Sequence, residues 1–356
     1  MNPKNVNNSS PIISLRAYQL TAKKDQNMII HEHKTAPQTY PQAPANRSFA
    51  KGFCWYPLGF NGRCKEAIWL KKRLKESKCE FETEAQTVER REKTIRALKR
   101  CHVSLNLDSA AVKRLTKKLE RCDWPNDPCC SMACDVCMMD LRLWHGTQVE
   151  KILRCHDLSN IKWVTIIPPY EKHKLGKLAE FDCAEYTRYM RRRLKELIPD
   201  AVVLGGADFS FNVDGASDGA KYWQPHAHLI VVGYTDKDEL KVRLRPFYNA
   251  PQKKPKDGSV SQKPSKAFLC KVMDVDNICG LITYSLKSQY KRKFKKANTI
   301  TNTKPRDGLT FEMRAELALY LNRLEYDDRM IFRHVSRREN KDRLVCKKKF
   351  VTCSKF

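Results

Sequence analysis

Gln224-Pro225-His226-Ala227-His228-Leu229-Ile230-Val231-Val232 decides how this chain is read. Side chains alternate across a strand, so His226, His228, Ile230 and Val232 share one face while Ala227, Leu229 and Val231 share the other. The two imidazoles therefore point the same way, ~7 Å apart at the backbone, close enough to grip one ion. The stretch is apolar on both faces, which predicts a central strand. The competing reading is a pair of rings that only satisfy hydrogen bonds at a strand end. Trp-Gln-Pro before the pair and Leu-Ile-Val-Val after it favour a site.

Working outward, Ala201–Asn212 reads as the preceding strand, separated from Tyr222–Tyr234 by the turn-rich Gly215-Ala216-Ser217-Asp218-Gly219. A turn centred near Ser217 sets Asp208 opposite His226. Asp208 then shares a face with Ser210 and Asn212, while Phe209 and Phe211 point to the core. Two histidines and one carboxylate with open positions suit Mn²⁺ or Mg²⁺. The alternative for Asp208 is a solvent-facing acid on an edge strand.

The remaining periodicity gives strands at Lys162–Pro168 and Ala267–Val275, and helices at Lys177–Leu197, Asp236–Tyr248, Asn277–Lys296 and Thr310–Leu324. Gln252–Pro264 reads as a polar loop. Basic helices are expected before Arg121, including Lys65–Ser77 and Ser109–Arg121. The resulting β-α-β-β-α-β-α order packs economically as an α+β fold, an antiparallel sheet with helices on one face. The expected division is a disordered polar tail at 1–50, a basic helical region at 51–121, a cysteine-rich subdomain at 122–150, the sheet domain at 151–300, and a C-terminal helix with a basic tail at 301–356.

The chain carries 68 basic against 40 acidic residues, a formal charge of +28. That excess calls for a polyanionic partner, and nucleic acid is favoured over a membrane surface. No apolar run approaches the ~18 residues of a spanning helix, and no signal-peptide core opens the chain, so a cytoplasmic protein is expected. Fifteen cysteines, an odd number, fit thiols and metal sites better than a disulfide framework. Five of them fall at Cys122, Cys129, Cys130, Cys134 and Cys137. Cys134-x2-Cys137 is a zinc-knuckle spacing, with Cys129 or Cys130 as third ligand and Cys122 as fourth. Sulfur-only ligation implies structural Zn²⁺; the alternative is a set of free or buried thiols.

Tyr284-Ser285-Leu286-Lys287 supplies the last element. On a helix, Ile278, Leu281, Ile282 and Leu286 form one stripe, and Tyr284, Lys287 and Lys291 cluster opposite it. A phenol, with a pKa of ~10, needs help to act as a nucleophile at neutral pH. A metal-polarised phosphate and a nearby ammonium provide it. Tyr290 is a rival nucleophile, otherwise read as a packing or DNA-stacking residue. Lys291, Arg292, Lys293, Lys295 and Lys296 read as a phosphate-tracking surface.

His-hydrophobe-His on a strand followed by Tyr-x-x-Lys on a helix resembles the HUH endonuclease superfamily, particularly its rolling-circle replication initiators. The resemblance covers residues 160–296, and Trp163-Val164-Thr165-Ile166-Ile167 is similar to the family's first motif. It implies a ferredoxin-like or RRM-like sheet carrying the metal site. The tyrosine follows the histidines, as in replication initiators and single-tyrosine transposases. Asp208 stands where many initiators carry Glu. The Tyr284–Tyr290 spacing departs from Tyr-x-x-x-Tyr, which implies a single-tyrosine cycle. The implied activity is metal-dependent nicking and rejoining of single-stranded origin DNA through a 5′-phosphotyrosine. Tyr284 would be the nucleophile, Lys287 its cation, and His226, His228 and Asp208 the ligands. No GxxxxGK[ST] loop occurs in the sequence, so helicase and polymerase would come from the host. The alternatives are a transposase of the same chemistry and a non-catalytic, zinc-dependent DNA-binding regulator.

Overall fold

The computed structural model describes residues 65–76, 81–101, 107–168, 171–214, 221–247, 268–272, 280, 283–284, 286–287, 290, 292–296, 299–302, 308–338 and 343–347. All of them belong to one compact unit, Ala45–Phe356. The polar segment 1–50, the turn at 215–219, the loop 252–264 and Lys291 lie outside the described residues.

The strands are β1 (Ile161–Ile166), β2 (His173–Lys174), β3 (Val202–Asp214), β4 (Lys221–Val232), β5 (Phe268–Val272), β6 (Arg292–Lys296), β7 (Thr299–Asn302) and β8 (Met330–Arg333). They form one mixed sheet in the order β5-β1-β4-β3-β6-β7, with β2 on β4 and β8 on β3. Every pairing is antiparallel except β3 with β6. The histidine strand β4 is interior, between β1 and β3, as its two apolar faces require. Its register sets Asp208 opposite His226, and Gly206 and Thr165 opposite His228.

The face opposite the histidines is the main core. Phe209 and Phe211 are fully buried there, each contributing roughly 1.5–3 kcal/mol by leaving water. Phe209 packs edge-on against Phe181 and Tyr320, and Phe211 against Trp223. The covering helices are α5 (Cys183–Leu197) and α7 (Phe311–Leu321). Their starts are fixed by Asp182, which accepts from the Glu185 N–H, and Thr310, which accepts from Met313. Glu316 of α7 accepts from Trp223 Nε1 at 2.7 Å and from the Leu178 N–H at 2.8 Å, which ties the helix to the sheet.

Before the sheet come α1 (Lys65–Glu76), α2 (Glu84–Cys101), α3 (Ser109–Glu120) and α4 (Asp135–Leu153). A short helix α6 (Lys237–Arg243) follows β4. Among the described residues no helix is long and apolar enough to cross a membrane.

Two expectations are corrected. The helix expected over Asn277–Lys296 does not reach its end, because Arg292–Lys296 is strand β6, parallel to Phe211–Asp214 of β3. The open edge of β3 offers backbone partners that outweigh the local helical preference of a lysine-rich run. Of the basic tail after Leu324, the described residues 325–338 and 343–347 are instead built into the molecule. Tyr326 and Arg329 of the short helix α8 (Tyr326–Arg329) are buried, and β8 pairs with β3 from Val203 to Gly206. The hairpin β9 (Val335–Arg338) and β10 (Arg343–Cys346) then lies on α4, where Arg337 covers the rings of Trp144 and Tyr326.

β3 therefore has two partners on one flank, β8 at its start and β6 at its end. Between them the Ala207 carbonyl accepts from the buried Arg329 guanidinium at 3.2 and 3.4 Å. On the other flank β3 presses close to β4 at Gly205, where a Cβ would lie 2.1 Å from the His228 carbonyl oxygen. Gly205→Ala should force the strands apart beside the site. We expect a loss on the order of 3 kcal/mol in thermal unfolding, and weaker divalent-ion binding in the same protein. A variant as stable as the parent would contradict the close approach.

Candidate metal centre and tyrosine site

β3 and β4 bring Asp208, His226 and His228 onto one face, all three buried, with one ligand atom from each within 4.8 Å of the others. Asp208 Oδ2 lies 3.2 Å from His226 Nε2 and 3.4 Å from His228 Nε2. The outward-facing acid considered for Asp208 is excluded, since it is fully buried.

Second contacts fix the rings. His226 Nδ1 lies 3.1 Å from the Gln224 carbonyl, which only accepts, so Nδ1 carries the proton and Nε2 keeps its lone pair. His228 Nδ1 lies 3.0 Å from Thr165 Oγ1. Trp163 stacks on the His228 ring at 5.3 Å. Lys287 forms an ion pair with Asp208 Oδ2.

Burial opposes charge on each group, and the neighbours decide the outcome. For Asp208 the Lys287 ammonium outweighs burial and holds the carboxyl well below the usual range. For Lys287 burial is outweighed by Asp208, so the ammonium stays above the usual lysine range. Burial lowers both histidines, His228 to about 3. The imidazoles are thus neutral at physiological pH, and their lone pairs face a carboxylate.

Asp208 Oδ1 and Oδ2 and His228 Nε2 are buried without a hydrogen-bond partner; the Lys287 contact to Oδ2 is an ion pair without hydrogen-bond geometry. The Lys287 ammonium is paired with Oδ2, and a divalent ion among the three acceptors would satisfy them together. A divalent ion fits this donor set of two imidazoles and one carboxylate.

Tyr284 is 43 % exposed, and its ring packs edge-on to His228 at 4.9 Å and to Trp163 at 6.1 Å. Lys287 Nζ lies 4.9 Å from the same ring, and the Lys287 N–H donates to the Tyr284 carbonyl at 3.2 Å. Tyr290 is placed differently. Its hydroxyl is buried, where Asp208 and Lys287 both act on it, and burial raises its pKa.

Of the five basic residues expected as a phosphate surface, Lys291 and the side chains of Lys295 and Lys296 lie outside the described residues. Arg292 and Lys293 are half-buried on β6. Lys293 stands opposite Asn212, on the Asp208 face, and among the described residues it has no ion-pair partner. Burial and the Lys287 charge lower its pKa. Sequence reasoning placed Lys293 on a helix and did not single out Gln224, Arg142 or Arg329. The Asn212 amide donates to Gln224 Oε1 at 3.3 Å, and a polar row continues from the triad along the sheet.

The cysteine cluster takes shape between the loop before α4 and the first turn of that helix. Cys122, Cys129, Cys134 and Cys137 bring their sulfurs within 4.8 Å of one another. The separations are 3.6 Å (Cys122–Cys137), 3.7 Å (Cys122–Cys134) and 3.8 Å (Cys129–Cys137). Tetrahedral zinc with ~2.3 Å Zn–S bonds requires sulfur edges of roughly 3.8 Å, so four thiolates here fit Zn²⁺. Cys130 does not join them. It is disulfide-bonded, with φ of 53°, and its sulfur lies 3.3 Å from the Pro128 carbonyl. It is removed from the expected ligand set, and Cys129 takes the third place. Hydrogen bonds from the other three thiols push Cys122 down, while Cys134 and Cys137 are pushed up.

Comparison with protein-family models, with curated proteins and with solved structures gives no match to this chain.

Two measurements test the electrostatics. His228 and His145 are both held at about 3 by burial, below the 6.5 of a free ring. The unfolded chain therefore takes up their protons first as pH falls. Their contribution is complete above the unfolded value and is lost toward the folded one, at about 1.4 kcal/mol per pH unit for each ring. Denaturant titrations in EDTA between about pH 7 and about pH 4 should show that decline, and a flat profile would overturn the assignment. Lys287→Met should cost the metal-free protein about 3–5 kcal/mol by leaving Asp208 unpaired. Saturating Mn²⁺ should then raise its melting temperature by more than it raises the parent's. An equal rise in both proteins would mean that the ion and the ammonium do not share the carboxylate.

Proposed function

We propose that this chain is a metal-dependent, single-tyrosine DNA endonuclease that nicks and rejoins single-stranded origin DNA, the chemistry of a rolling-circle replication initiator. The observation that carries the reading is the Tyr284 ring, solvent-accessible and edge-on to a metal-site histidine, with the Lys287 ammonium beside it. The formal charge of +28 favours a polyanionic substrate.

Mn²⁺ or Mg²⁺ held by Asp208, His226 and His228 supplies Lewis-acid polarisation of the scissile phosphate. The protein's own groups do the rest. Tyr284 Oη attacks phosphorus and loses its proton; the P–O3′ bond breaks, and the departing oxygen takes up a proton as a free 3′-OH. The product is a 5′-phosphotyrosine, and attack by a 3′-OH strand end reverses the step and rejoins DNA. The Lys287 ammonium, 4.9 Å from the Tyr284 ring, would offer its charge to the phosphate and phenolate oxygens. Trp163 and Thr165 hold His228 in its ligating orientation. The four-cysteine cluster acts as a closed structural site for Zn²⁺. The free 3′-OH would prime a host polymerase behind a host helicase.

The test uses a random pool of single-stranded oligonucleotides with Mn²⁺ and denaturing electrophoresis. Label at the 3′ end should travel with the protein, and label at the 5′ end should leave on a fragment with a free 3′-OH. Tyr284→Phe should reduce the adduct to background, while Tyr290→Phe retains it. DNA binding without an adduct would instead identify a regulator. An adduct lost only in Tyr290→Phe would move the nucleophile to that ring.

A further inference from the structure

A ladder of buried charge runs from the cysteine cluster to the tyrosine. Asp135 follows Cys134 directly, opens α4, and pairs with Arg90 of α2 at 3.0 Å. Arg90 also reaches Glu82 at 3.5 Å, and Glu82 pairs with Arg142, two turns further along α4. Arg142 Nε donates to the Thr283 carbonyl at 3.3 Å, one residue before Tyr284. Arg91 adds a bond to the Cys122 carbonyl at 2.8 Å, so α2 grips both ends of the cluster.

Glu82, Asp135 and Arg142 are all buried. Two acids and two guanidinium groups balance in charge, which is the condition for ions to be tolerated away from water. Pairing with Glu82 would by itself satisfy the charge of Arg142. It does not account for the N–H directed at a carbonyl in the tyrosine turn. The guanidinium also lies over the Phe81 ring at 4.7 Å, which fixes its plane. A planar fork can hold a carboxylate and a carbonyl at once in set directions, which a lysine ammonium does poorly.

We infer that Arg142 is a positioning residue for Tyr284: anchored on the helix that the cysteine cluster begins, it holds the Thr283 carbonyl and so sets the tyrosine ring against His228. The consequence for nicking rests on the proposed function, but the placement of the ring does not. Loss of the anchor leaves the metal ligands in place, since Asp208, His226 and His228 belong to β3 and β4.

The test places 3-fluorotyrosine at position 284 and reads fluorine–proton Overhauser effects to the ring protons of Trp163 and His228, with no metal or DNA needed. They should be strong in the parent and lost in Arg142→Lys, whose ammonium keeps the pair with Glu82 and the fold. The double variant Glu82→Gln, Arg142→Met removes both buried charges together and should lose them too. Melting temperature and zinc content should stay at parent values in at least one of the two. In the Mn²⁺ adduct assay the rate should drop about 100-fold with oligonucleotide binding unchanged. Overhauser effects that persist in both variants, or are absent from the parent, overturn the inference. Intact effects in the parent, lost in the variants, with no adduct in any protein, would overturn the nuclease reading and leave the positioning role standing.

Discussion

A carboxylate sealed from water must be met by positive charge, and Asp208 is the point around which this molecule arranges it. Lys287 meets it directly, two imidazoles face it through bare nitrogens, and Arg329 and Lys293 lie within electrostatic range. The sheet is built to permit this crowding. Gly205 lets β3 press on β4, Gly206 leaves the position opposite His228 without a side chain, and the phenylalanines at 209 and 211 lock β3 from behind. A carboxylate one residue earlier or later would point into that aromatic layer.

The two groups of metal-ligating residues divide their work by chemistry. Four cysteines with sulfurs within 4.8 Å of one another would fill a tetrahedral ion's positions, leaving none for a substrate, and stand where α4 begins. Two histidines and an aspartate would leave positions open on an ion, and their carboxylate is paired with the Lys287 ammonium. The first suits a fixed point for packing, the second a place where ligands come and go.

The centre of this arrangement was legible in the sequence because a strand has a period of two. His226, His228 and Asp208 fall into line once the hairpin turn is placed near Ser217, and the observed register agrees. Other parts gave no such signal. α4 is buried on nearly every side while carrying Asp140, Arg142, His145 and Thr147, so no apolar stripe marks it; these polar groups find partners such as Trp124 for Asp140 and Tyr326 for His145. Arg292–Lys296 becomes a strand only because β3 offers an unpaired edge, a fact no local window contains. The choice of Cys129 over Cys130 turned on a disulfide that takes Cys130 out of the cluster, which adjacent cysteines in a sequence do not reveal. Arg142 and Arg329 look like any surface arginine until the acid and carbonyl they serve are brought to them from far along the chain.

The two flanks of β3 are closed by strands made at very different times. β4 follows directly, but β8 is translated only after the other strands of the sheet, and it pairs at Gly206, the residue opposite His228. A ribosome-bound chain thus has its ligands long before it has the strand and the Arg329 guanidinium that secure them. The sheet around the centre is thereby closed only after all three of its ligand-bearing residues have been made.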